Sequence, residues 1–156
     1  MEDRITIRPR ILGVENDDVS RHVLIEFLRQ FDCETHIARD GVEGLEVLEK
    51  FTFDLVFMDF HMPRLDGPSA ARAIRNLPGE NRDVPIVAVT ADYSARDRCV
   101  EAGMNDYILK PYTREQLESS LFYWLSLGSF LLSERDPGRL NRIQPWLLQF
   151  VDRCEI

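Results

Sequence analysis

Apolar positions along the chain fall into two alternating patterns. Short unbroken runs occur at Ile11–Val14, at Asp54–Met58 ("DLVFM"), at Pro85–Val89 ("PIVAV") and at Tyr107–Leu109. Runs of this length and density fit strands buried on both faces, as in a parallel sheet covered by helices. Glu34–Ala38 is a fainter second strand. Between the runs, apolar residues recur every three or four positions. Val23, Leu24, Phe27, Leu28 and Phe31 make one such stripe, predicting a helix from about Asp18 to Phe31. Val42, Leu45 and Leu48 make a second, Ala70, Ile74 and Leu77 a third, and Leu117, Leu121 and Trp124 a fifth.

The helix starts carry their own signals. Asp40 with Glu43, Ser94 with Asp97 and Thr113 with Gln116 all have capping-box spacing, and Asp66 suits an N-cap. Pro78 and Gly79 break the third helix, and Gly103 ends the fourth. Strand and helix thus alternate five times. Crossover units of this kind predict one five-stranded parallel sheet in an α/β/α three-layer domain. That domain is expected over residues 8–127. Residues 128–156 form a C-terminal extension. "SERDPGRLNR" has turn composition, and Ile143, Trp146, Leu147, Phe150 and Val151 stand at near-helical spacing. An extra helix laid on the domain is the expectation, and a partner-facing or dimer-forming helix is the alternative.

Composition narrows the function classes. The 156 residues are 44% apolar, enough for one real core. Nineteen Lys and Arg against 27 Asp and Glu give a formal charge of -8. Phosphates repel such a chain, so no direct nucleic-acid partner is expected. Cys33, Cys99 and Cys154 lack metal spacing, which fits a reducing, cytoplasmic setting. The start "MEDRITIRPR" has no apolar segment, so no signal peptide is expected. No run approaches the roughly 20 apolar residues that cross a bilayer.

The candidate chemistry follows from the sheet. In an open parallel sheet, ligands bind beyond the carboxyl ends of the strands. Glu15 and Asn16 follow the first strand, Asp59 the third, Thr90 the fourth and Lys110 the fifth. An acid–amide pair, an acid, a hydroxyl and an ammonium are thus expected on one rim. A carboxylate there can attack a phosphoryl group if its oxygens are neutralised by a lysine and a hydroxyl. A magnesium ion, which takes oxygen ligands and keeps several waters, would sit between Asp59, the 15–16 pair and the phosphate.

The segments "ILGVEN", "DLVFMDFHMPRLDG", "PIVAVTA" and "AGMNDYILKP", in this order and spacing, resemble the receiver domain of two-component response regulators and hybrid histidine kinases. The resemblance covers about residues 9–125 and implies a flavodoxin-like fold. It implies Asp59 as phosphoacceptor, Lys110 as the phosphoryl contact, and Thr90 with Tyr107 as a switch pair. A cis peptide between Lys110 and Pro111 is implied, as is a metal ligand in the His61 backbone carbonyl. The expected partners are a histidine kinase or histidine phosphotransfer protein and a downstream protein target. A homodimer through the fourth and fifth helices or the tail is left open. Turnover beyond self-catalysed phosphotransfer and autodephosphorylation is not expected. The family usually carries two acids after the first strand, where this chain has Glu15 and Asn16. An amide oxygen carries no net charge, so Mg2+ is expected to bind weakly. Asp17 and Asp18 are read as a cap and a first-turn acid, and Arg21 supports that register.

Three other readings share the same rim. A degenerate receiver would signal by phosphorylation-independent protein binding. An aspartyl-phosphate phosphatase would need a general acid or base near Asp59, and His61 is the candidate. A flavin carrier is disfavoured by the acidic first loop "ENDDVS".

Overall fold

The computed structural model describes residues 8–132 and 142–148. Five strands, β1 (Arg10–Val14), β2 (Glu34–Ala38), β3 (Leu55–Asp59), β4 (Ile86–Thr90) and β5 (Asp106–Leu109), alternate with five helices. These are α1 (Asp18–Arg29), α2 (Gly41–Lys50), α3 (Gly67–Arg75), α4 (Arg96–Glu101) and α5 (Arg114–Leu132), with a 3-10 turn at Glu80–Asp83. The sheet is parallel throughout, in the order β2-β1-β3-β4-β5. β3 and β4 are buried along their whole length, as their unbroken apolar runs require.

Two cores flank the sheet. One face packs Leu48 of α2, Ala70 and Ile74 of α3 and Cys99 of α4 against Leu12, Val56, Met58 and Ala88. The other packs Leu24 and Leu28 of α1 and Leu117, Leu121 and Leu125 of α5 against Ile11, Leu55, Phe57 and Val87. The expected extra helix is present as α6, residues 142–148, and it enters this second core through Ile143 and Trp146. The Trp146 indole N–H donates to the Phe31 carbonyl at 2.5 Å. Arg142 reaches the buried Asp54 carboxylate at 3.3 Å. Phe150 and Val151 lie outside the described residues.

The caps test the local signals. Asp17 accepts from the Ser20 N–H, Asp40 from Glu43 and Asp66 from Ser69. Thr113 and Gln116 close a reciprocal capping box at 2.8 and 3.2 Å. The Ser94–Asp97 box does not form. Ser94 instead gives both its N–H and its hydroxyl to Asp92, two residues upstream, and α4 starts at Arg96 without a side-chain cap. Asp92 thereby takes the Ser94 N–H that the Asp97 carboxylate would have accepted in the box. Val23, expected in the α1 stripe, stands 37% exposed at the edge of the buried face. The ends of β3 and β4 fall one residue later than the apolar runs suggest, so Asp59 and Thr90 belong to the strands themselves.

Candidate functional site at the carboxyl rim

Strand register builds the rim as a staircase. Val14 lies beside Met58, Asp59 beside Val89, and Thr90 beside Leu109. Glu15, Asp59, Thr90 and Lys110 therefore emerge from neighbouring strands at nearly one level. Glu15 is 3% exposed and Asp59 7%, so two carboxylates are sunk side by side. Lys110 Nζ donates to Glu15 Oε2 at 2.9 Å and lies 3.5 Å from Asp59 Oδ1. One ammonium thus serves two buried acids. Burial raises the Asp59 pKa above the usual carboxylate range, and the Glu15 charge raises it further. Lys110 and the His61 backbone N–H act in the opposite sense.

The first loop is held from outside. Arg21 Nη1 donates to the Glu15 carbonyl at 3.1 Å and the Asn16 carbonyl at 3.5 Å, while its other terminal nitrogen pairs with Asp18. Arg21 served only as a register mark in the sequence, where nothing shows which backbone it will clamp. The Asp17 N–H donates to Glu15 Oε1 at 3.2 Å. Asp17 itself is the α1 cap, and the Ser20 N–H holds its pKa down. The Asn16 side-chain oxygen is turned toward two other oxygens, Asp59 Oδ2 and the His61 carbonyl, and only with its oxygen and nitrogen exchanged would the amide donate to them, at 2.8 and 3.2 Å.

The remaining candidates divide. The Thr90 hydroxyl, on a residue only 1% exposed, accepts from the Asp92 N–H at 3.0 Å, so its bonding is to its own loop. Tyr107 is half-buried and packs on the α2, α3 and α4 side of the sheet. The Lys110–Pro111 peptide is cis. The His61 imidazole is exposed and lies edge-on to the Phe60 ring at 4.8 Å. Among the described hydrogen bonds it makes none to Asp59. Gly67 opens α3 against the rim: a Cβ there would stand 2.6 Å from the Asp59 carbonyl oxygen, so only glycine permits this approach.

The site suits a hard cation. Glu15 and Asp59 supply carboxylate oxygens, Asn16 an amide group and His61 a carbonyl, and two buried acids sharing one lysine leave charge for a cation to balance. Among the described residues no three His, Cys, Asp or Glu side chains gather as a metal cluster, so amide and carbonyl groups must complete any such site. The thiols belong to the packing: burial pushes Cys33 up to about 12 and raises Cys99 as well.

A doubly wound sheet with buried acids, a hydroxyl and a lysine on its carboxyl rim defines a phosphoryl-handling signalling domain. The chain belongs to the response regulator receiver domain family, whose pattern its residues 11–122 match. It is 38% identical over 139 residues to the transcription factor SKN7 of Saccharomyces cerevisiae, covering 86% of this chain and 22% of that protein. It is 37% identical over 120 residues to the hybrid signal transduction histidine kinase K of Dictyostelium discoideum, covering 72% of this chain and 10% of that one. The chain therefore spans about a fifth or less of the length of these relatives. Among solved structures, the receiver domain of a Pseudomonas aeruginosa sensor histidine kinase is 37% identical with a TM-score of 0.71. The match covers 75% of this chain and 97% of that one, which carries a magnesium ion coordinated in its active-site cleft.

Proposed function

We propose that Asp59 accepts a phosphoryl group from a phosphohistidine and that the acyl phosphate so formed alters a protein-binding surface. The observation that carries this reading is the Lys110 ammonium set between the Glu15 and Asp59 carboxylates. An Asp59 oxygen attacks phosphorus, the phosphorus–nitrogen bond breaks, and the imidazole leaves as a neutral ring after taking a proton from solvent. Lys110 pairs with the phosphoryl oxygens, and the Thr90 hydroxyl, released from the Asp92 N–H, donates to one of them. Mg2+ held by Glu15, Asp59, the Asn16 amide oxygen and the His61 carbonyl would neutralise the same oxygens, weakly because position 16 is uncharged.

The donor is a histidine kinase or histidine phosphotransfer protein. A cleft of about 320 Å³ beside Lys110, lined by Val19, Ser20, Val23, Ala91, Pro111 and Tyr112, offers an apolar seat for it. Tyr107, on the α4 side, would carry the change to a downstream target, and Tyr93, Val100 and Tyr123 give exposed apolar area for that target or for a second copy. We assign the receiver unit to residues 8–127, with the α6 extension packed onto it, and the cytoplasm as its compartment. Among the described residues no helix is long and apolar enough to cross a membrane. A phosphatase reading needs the His61 imidazole at Asp59, and its place on Phe60 gives that no support.

The test is incubation with a small phosphodonor, with and without Mg2+, followed by intact mass, with Asp59→Asn alongside. A gain of one phosphoryl group that needs Asp59 and increases with Mg2+ is expected. No gain at high Mg2+ would move the function to phosphorylation-independent binding.

A further inference from the structure

We propose that Glu15 is a positioning residue for Lys110: it holds the lysine ammonium off Asp59 in the resting site and hands it over when a phosphoryl group arrives. Lys110 Nζ stands 2.9 Å from Glu15 Oε2 and 3.5 Å from Asp59 Oδ1. The first is the length of a charge-assisted hydrogen bond, and the second lies at the outer limit of one. The ammonium is therefore bonded to Glu15 and only close to Asp59. The other Glu15 oxygen, Oε1, accepts from the Asp17 N–H at 3.2 Å. Both oxygens of this buried carboxylate thus have a donor, and one of those donors is the lysine that would otherwise cover the attacking oxygen of Asp59.

The two members of the pair are held differently. The Glu15 backbone is tied on both sides: its N–H donates to the Ala38 carbonyl at 3.1 Å, and its carbonyl accepts from Arg21 at 3.1 Å. Its side chain is almost wholly buried. Lys110 is fixed only at its root, where its N–H donates to the Thr90 carbonyl at 2.8 Å. Its side chain is 23% exposed and its stem is flexible, so the lysine is the movable member. A phosphoryl group on Asp59 brings further anionic oxygens to that side and tips the ammonium away from Glu15. The Glu15 Oε2 that it leaves is then open to a cation. This second step rests on the phosphoacceptor reading of Asp59, and the resting geometry does not. Glutamate suits the role: an aspartate held on the same backbone would draw its carboxylate back toward β1 and leave the lysine to Asp59.

The chain has two lysines, Lys50 and Lys110, so a lysine label reports on the site with the exposed Lys50 as reference. The experiment is NMR of the full chain carrying ε-13C lysine, in EDTA at mildly alkaline pH, for wild type, Glu15→Gln and Asp59→Asn. Both substitutions remove a charge and keep the side-chain shape. The Lys110 signal should shift further in Glu15→Gln than in Asp59→Asn, with the Lys50 signal unmoved. An equal or larger shift in Asp59→Asn, or no shift in either variant, would overturn the proposal. A small phosphodonor with Mg2+ is then added to wild type. The Lys110 signal should move as intact mass gains one phosphoryl group. A mass gain with the Lys110 signal in place would sink the hand-over. No mass gain at high Mg2+ would remove the phosphoacceptor reading, and the EDTA shifts would still decide which acid holds the lysine.

Discussion

The two ends of the sheet treat a buried aspartate in opposite ways. At the amino end, Asp54 is 2% exposed; one carboxylate oxygen accepts from the Arg10 N–H at 2.8 Å and the other faces Arg142 at 3.3 Å. At the carboxyl end, Asp59 is nearly as buried but stands beside a second carboxylate and shares a single lysine with it. The first acid holds the α6 extension to the domain. The second is kept short of positive charge, an imbalance that a bound cation would relieve. Burial alone therefore does not say whether an ionisable group serves stability or chemistry. The number and sign of its neighbours do.

The sharpest way to break the comparison is at the amino end. Trp146→Ala removes a side chain that is 5% exposed in the α1/α5 core, together with its bond to the Phe31 carbonyl. It should cost about 3–5 kcal/mol in urea unfolding, if α6 is part of the fold. A loss near zero would make the extension a loosely attached tail. Next in size, Asp54→Ala strands Arg142 near a buried site and should cost about 3 kcal/mol.

The smallest effect has the opposite sign. Asp59→Asn should raise the melting temperature in EDTA at neutral pH while abolishing phosphorylation. The sign follows from linkage: the folded-state pKa of Asp59 lies above its unfolded value, so the folded state holds this proton more tightly. Stability is lost as pH rises from the unfolded value through the folded one. The advantage of Asp59→Asn should therefore grow across that interval and vanish below it. Melting curves of both proteins from acid to neutral pH measure it. A variant less stable than wild type at every pH would mean that Asp59 is held by its donors rather than strained by Glu15.

Much of this was legible in one dimension. Unbroken apolar runs mark strands because a strand covered on both faces has no polar side, and β3 and β4 are buried throughout. Capping pairs lie within one turn, so Asp40 and Thr113 could be read locally. The Ser94 box failed for an equally local reason, the nearer claim of Asp92. The rim positions were readable because strand ends in a parallel sheet share one edge.

Other features depended on distance in space. That Arg21 would clamp two carbonyls, that the Asn16 amide would lie against Asp59 and the His61 carbonyl, and that Thr90 would bond to Asp92 are choices among short-range partners of similar chemistry. The pairing of Asp54 with Arg142 joins residues far apart along the chain, with no pattern linking them. The sequence by itself determined the alternation of elements, the layer order and which acids and lysine reach the rim, because periodicity and strand direction are properties of neighbouring residues. Only the tertiary structure decided which charges share a partner, since electrostatic balance depends on distances that the folded chain alone sets.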